Sequence, residues 1–272
     1  MNSPVYQTTN IPYLKNDRPL VMAHRGRSAF TPESSFQAFK EAYDLDVDAL
    51  ETDIRITKDL VPIVFHDKTL DRTTNGKGSI SEYTYEQLHE FDLGYWYKDP
   101  TSDSYPFRDK GFKIVSLEEL FEKLPKIRIN MDIKDRFSSA PQALYETIVS
   151  SDVENRVLVG SFHQKQLKRF RKISKVKQIP TSAGPLEVLA FLTHLLLLTK
   201  KRFCALQVPI DFGIIKIVTE KNIQRAHNRN IAVHSWTIND RETMRKLIEW
   251  KIDGIVTDNP DLLLDVLKTQ EK

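Results

Sequence analysis

Short apolar runs alternate with helix-length segments along almost the whole chain, and this alternation limits the possible fold more than any other feature. Runs at 20–24, 49–57, 62–66, 128–134, 156–162, 178–181, 205–210, 232–237 and 254–257 read as strands. Helices are expected at 31–43, 116–123, 141–150, 164–173, 220–228 and 241–250. Strands separated by helices pair in parallel, with the helices covering the sheet, so the fold class is α/β. One step breaks the repeat. The link at 58–61 is too short for a helical crossover, so 49–57 and 62–66 form an antiparallel pair. That pairing is expected to set Asp53 opposite His66. With 272 residues, 40% of them hydrophobic, the chain suits a single domain, 1–272, with one core. Residues 68–127 are too many for one crossover and read as an insertion capping the catalytic face. Its aromatic cluster Tyr95-Trp96-Tyr97 is expected mainly to pack the insert, and Ser116 with Glu119 forms a capping box.

The charges within these runs point to chemistry. His24 and His66 each end a strand-like run, and in 49–57 the residues Glu51, Asp53 and Arg55 share one face. Asp132 and Lys134 likewise share a face of 128–134. Buried strands rarely carry unpaired charge, so ionisable groups converging from several strands suggest a site rather than a surface. Carboxylates beside histidines suit a hard, oxygen-liganded cation together with general acid–base work.

The chain resembles the glycerophosphodiester phosphodiesterase family. The matching segments are HRG at 24–26 with Pro32-Glu33 following, ETDIRITKD at 51–59, PIVFHD at 62–67 and LDRTTNGKG at 70–78. Further on come MDIKD at 131–135, SF at 161–162, SWTIN at 235–239 and DGIVTDNP at 253–260. Each is weak alone, but the ordered set is specific and spans nearly the whole chain. The resemblance implies a TIM (β/α)8 barrel, a catalytic pair His24 and His66, and Glu51, Asp53 and Asp132 as ligands for Mg²⁺ or Ca²⁺. Arg25 and Lys134 would bind the substrate phosphate, and Glu33 and Trp236 would line the headgroup pocket. The products would be glycerol 3-phosphate or lysophosphatidic acid and a headgroup alcohol. Two positions depart from the family pattern. Ser34-Ser35 follows Pro32-Glu33 where the family usually has Asn-Thr, and Asp132 replaces a more usual glutamate. Aspartate there is similar to the lysophospholipase D branch. The alternatives are a sphingomyelinase D-like or phosphatidylinositol-specific lyase and a non-catalytic phospholipid-binding membrane adaptor.

Composition narrows the partners. Lys and Arg number 40 against 37 Asp and Glu, a net charge of +3, so no nucleic-acid partner is expected. One cysteine, Cys204, precludes an internal disulfide and fits a reducing compartment, and the N-terminal segment lacks an apolar signal core. A cytosol-side protein is the expectation. The apolar stretch 185–199 is shorter than the ~20 residues that span a bilayer, and basic residues follow it to 202. It reads either as a buried barrel helix or as a peripheral membrane or acyl-chain contact through 185–202. His163 and His234 are candidates to face the site or the barrel interior, whereas His89, His194 and His227 carry no assignment. Oligomeric state is not legible.

Overall fold

The computed structural model describes residues 11–99, 101–195 and 202–270. The first half runs β1 (Leu20–His24), α1 (Phe36–Asp44), β2 (Ala49–Ile56), β3 (Pro62–Val64), α2 (Tyr85–Leu88), α3 (Leu117–Lys123), β4 (Arg128–Ile133) and α4 (Ala140–Ser150). The second half runs β5 (Val157–Gly160), α5 (Gln164–Ile173), α6 (Pro185–Leu192), β6 (Ala205–Val208) and a small hairpin, β7 (Asp211–Phe212) with β8 (Ile215–Lys216). It ends with α7 (Glu220–His227), β9 (Ala232–Ser235), α8 (Arg241–Glu249), β10 (Gly254–Thr257) and α9 (Pro260–Gln270).

β1 pairs in parallel with β2 and β10, β2 with β4, β4 with β5, and β9 with β10 and β6. The ring closes through a segment too short to be a regular strand. Val159 bridges Thr181 and Ser182 bridges Ala205, both in parallel. Seven strands and this segment, wrapped by helices, make a TIM barrel. The extra strand is β3, antiparallel to β2 and outside the ring.

Period-two alternation sorts the strand residues into two layers. Leu20, Met22, Ala49, Leu158, Ala205, Ala232 and Val256 fill the inside of the barrel. Val21, Ala23, Leu50, Ile54, Ile129 and Val159 face outward into the main core beneath the helices. At the N-terminal end of the strands the turn Pro12–Leu14 seats Tyr13 against the inner cluster, fully buried beside Cys204. The insertion builds a satellite core from Ile63, Phe65, Leu70, Ile80, Leu88, Leu93 and Ile114. Its aromatics meet edge to face, Tyr95 on Trp96 and Tyr97 on Phe107, with Arg108 over Tyr95, so they pack one another. α3 opens on the expected Ser116–Glu119 capping box and buries Leu117, Leu120 and Phe121 in the main core.

Two local expectations shift. Ile54 faces Val64 and Ile56 faces Pro62, so Asp53 stands beside Phe65 and not His66. The reason is the turn. The Thr57 N–H donates to the Val61 carbonyl, with Leu60 in the left-handed region, which centres the hairpin on Asp59. The first helix starts at Phe36 rather than residue 31, because Ser34 is left-handed (φ 59°) and Ser35 caps the helix through Ala38 N.

Candidate active site

The strand register dictates the site. His24 lies level with Glu51 on β1 and β2, and Asp53 lies level with Asp132 on β2 and β4. All four sit on inward positions, Glu51 and Asp53 within β2 but level with the C-terminal ends of β1 and β4, on the side where TIM barrels carry their chemistry. His24 Nε2 is 3.8 Å from Glu51 Oε2. Lys134, one residue past β4, puts its ammonium 2.8 Å from both Asp53 Oδ1 and Asp132 Oδ2. Arg25 follows His24 in a left-handed conformation (φ 54°), and its Nε comes 3.0 Å from Asp53 Oδ2. Gly26 completes that turn at φ 87°; a Cβ there would lie 2.5 Å from the Ala38 carbonyl carbon.

Each of the two histidines has its own carboxylate. His24 Nδ1 is 2.6 Å from Asp258 Oδ1, and His66 Nδ1 is 2.6 Å from Asp67 Oδ1. Asp258 is itself held by Asn239 Nδ2 at 2.6 Å and Ser28 Oγ at 3.0 Å. The environments push the imidazoles in opposite directions. Burial opposes charge on His24, but the Asp258 hydrogen bond and the Glu51 charge outweigh it, and its pKa rises. At His66 burial prevails over Asp53 and Asp67, and the pKa falls. Arg55 clamps the His66 carbonyl through Nε and Nη2 at 3.0 and 2.8 Å.

Glu33, expected in a headgroup pocket, joins two arginines. It accepts from Arg25 Nη1 at 2.8 Å and from Arg72 at 2.7 and 2.8 Å. Arg72 also donates to Asp67 at 2.6 Å. The chain of contacts therefore runs from Arg25 through Glu33, Arg72 and Asp67 to His66. Trp236, just past β9, packs edge to face on Phe162 (5.5 Å between centroids), and Lys134 lies over the other ring, 5.2 Å from the Phe162 centroid.

The acids have the chemistry of hard-cation ligands, while cationic side chains of the chain itself stand between them. Burial, with Asp53 close by, pushes the Glu51 carboxyl up, and burial lifts Asp132 to about 6. Glu51 Oε2, Asp53 Oδ2 and Asp132 Oδ2 are buried without an aligned hydrogen bond. The last two are within ion-pair distance of Arg25 and Lys134, but those contacts are off-axis. Buried carboxylate oxygens on adjacent strands that lack an aligned hydrogen bond are the kind of donor a divalent ion uses. Among the described residues, no three such groups converge as an ion-binding cluster; Lys134 lies between two of the acids.

Of the remaining histidines, His234 is wholly buried in the barrel, 3.3 Å from Gln207, and burial lowers its pKa to about 4. His163 caps α5 near Arg136, His194 meets Arg225, and His227 pairs with Asp253 at 2.7 Å. Cys204 is buried. α6 covers the first part of the 185–199 stretch, with Phe191 buried and Leu186 and Leu189 exposed. Residues 196–201 of the apolar and basic run lie outside the described residues. No helix among the described residues is long and apolar enough to cross a membrane.

The sequence model of the glycerophosphoryl diester phosphodiesterase family matches residues 24–262. A probable glycerophosphodiester phosphodiesterase 2 of Mycobacterium tuberculosis is 31% identical over 265 residues, covering 94% of each chain. A glycerophosphodiester phosphodiesterase of Bacillus subtilis is 29% identical over 98% of this chain and 93% of that protein. Among solved structures, an Oleispira antarctica phosphodiesterase in complex with its product sn-glycerol-3-phosphate is similar in fold. Its TM-score is 0.76 at 22% identity, covering 92% of this chain and 97% of that one.

Proposed function

Because this chain belongs to the glycerophosphoryl diester phosphodiesterase family, we propose that it hydrolyses a glycerophosphodiester to glycerol 3-phosphate and an alcohol at the C-terminal mouth of the barrel. The observation that carries this reading is the pair of Nδ1–carboxylate contacts, His24–Asp258 and His66–Asp67, whose imidazoles are driven in opposite directions. Groups of one chemical type with separated proton affinities divide acid from base. His66, the more readily neutral, takes the proton from the attacking oxygen as its bond to phosphorus forms. His24, the more readily charged, protonates the alcohol oxygen as the old bond breaks. Arg25 and Lys134 offset the charge on the phosphoryl oxygens. Glu51, Asp53 and Asp132 would hold a divalent cation, Mg²⁺ or Ca²⁺, which when bound supplies Lewis-acid polarisation of the phosphate.

The test is a phosphorus NMR time course on glycerophosphocholine with Mg²⁺, Ca²⁺ or EDTA. We expect metal-dependent release of glycerol 3-phosphate, abolished by EDTA. His24→Ala and His66→Ala should each lower the rate by about 10² to 10⁴. Activity that survives both substitutions would sink the assignment.

A second reading, lysophospholipid hydrolysis at a membrane surface, is favoured by one observation. The β7–β8 hairpin beyond β6 exposes Phe212, Ile214 and Ile215 on the same face of the barrel as the mouth, and Leu186 at the start of α6 is also exposed. Faster conversion of lysophosphatidylcholine to lysophosphatidic acid than of glycerophosphocholine would select it.

A further inference from the structure

Lys134 also lines a second space. Between the loop after β4, the start of α5 and the insertion runs a cleft of about 600 Å³, bordered by Arg55, Lys68, Lys134, Asp135, Arg136 and His163. Its charge is one-sided. Asp135 is the only acid among these residues, and Arg55 Nη1 at 2.8 Å and the Ile56 N–H at 2.7 Å already engage it. Lys134 is held by Asp53 and Asp132. Lys68 and Arg136 are exposed and, among the described residues, have no carboxylate partner. Arg136 Nε lies 3.4 Å from His163 Nε2, to which it donates. Burial first, and then the charges of Arg136, Lys134 and Arg55, lower the pKa of that imidazole. His163 is also the cap of α5, whose ten residues begin without an acidic side chain in the first turn. The positive end of that helix therefore opens at the cleft lip.

We propose that this cleft binds a second anionic group of the substrate, a further phosphate carried on the same molecule as the scissile diester. The inference rests on the phosphodiesterase reading and specifies its substrate class. The favoured diesters are those of a polyol that bears another phosphate, as in a short chain of glycerol phosphates, rather than those with a neutral or cationic headgroup. Continuity through Lys134, and the grip of Arg55 on the His66 carbonyl, place the cleft directly beside the reacting phosphate. Charge-assisted contacts from Lys68 and Arg136 would lower KM for such a substrate and leave the chemical step unchanged.

The experiment compares glycerophosphoglycerol with the same diester carrying a terminal phosphate on its distal glycerol, at low ionic strength. Wild type is expected to show KM about tenfold lower for the phosphorylated substrate at equal kcat. Lys68→Gln with Arg136→Gln should erase that preference while kcat/KM for the unphosphorylated diester stays within about twofold. Equal KM values for the two substrates in wild type, or a double variant that loses both substrates alike, overturns the proposal. If neither diester is hydrolysed, the phosphodiesterase reading fails by itself, and the cleft is judged by NMR. Inorganic phosphate should move the His163 imidazole signals and raise its pKa in wild type but not in the double variant, and unmoved signals overturn the site.

Discussion

An imidazole that transfers a proton works best with one nitrogen committed and the other available. Asp258 holds His24 and Asp67 holds His66, each at 2.6 Å, which on the proposed mechanism makes both acids positioning residues. Asp258→Asn removes the hydrogen bond that raises the His24 pKa. A general acid works below its pKa, so the alkaline limb of the kcat profile should move to lower pH as the rate falls, and kcat measured across pH checks this. Asp67 is held near 2 because Arg72 and His66 outweigh its burial. Its folded pKa is depressed, so its contribution is present above the unfolded value near 3.9 and is lost as pH falls through about 2. The melting gap between wild type and Asp67→Asn should therefore be widest near neutrality and close across that acid window. Asp132 is raised to about 6 and Glu51 to about 7, and both must lose their protons to bind a cation, so metal affinity should climb with pH up to about 7 and then level off. Calorimetric titration at several pH values reads that slope. His24 and the three acids are legible in the sequence because each sits on a strand whose period assigns its face, whereas His66 lies two residues past the end of β3, where that period no longer applies. The carboxylate partners are not legible. Asp258 follows β10, the last strand in sequence yet the neighbour of β1, Asn239 follows β9 beside it, and the link from Arg72 to Glu33 joins residues 39 apart, so only the assembled sheet and the folded insertion bring them into contact.

The turn after β1 supports the row of His24, Glu51, Asp53 and Asp132. Arg25 and Gly26 are consecutive left-handed residues, and the Arg27 N–H donates to the Ala38 carbonyl at 2.9 Å, which docks the turn on α1. Gly26→Ala should lower the melting midpoint, with a loss of about 2 kcal/mol or more, because the added carbon meets backbone that cannot rotate away. Element boundaries were less legible than element types. Burial alternation cannot locate a hairpin centre to one residue, and here the Thr57–Val61 turn chemistry decides it. The segment at Thr181–Ser182 was legible as a strand at 178–181, but it survives only as two single bridges, with Gln178 left-handed before it.

The barrel as a whole presents one half-rim of apolar side chains and one basic cleft. Replacing Phe212 and Ile214 by serine should leave the melting point and glycerophosphocholine turnover unchanged, since both side chains lie in water. If the tip meets lipid, the same double variant should bind vesicles less in co-sedimentation and turn over lysophosphatidylcholine more slowly. The parallel architecture was legible at this scale from alternation alone, and its closure into a ring from the family resemblance. Tyr13 shuts the opposite end of the barrel, with the inner cluster stacked above it. The packed interior thus leaves the mouth as the one approach to the row of acids and histidines. What enters with its ester intact must back out in two pieces through the same doorway, and a lingering phosphomonoester blocks the next arrival. Progress curves should slow in a manner that fresh substrate relieves.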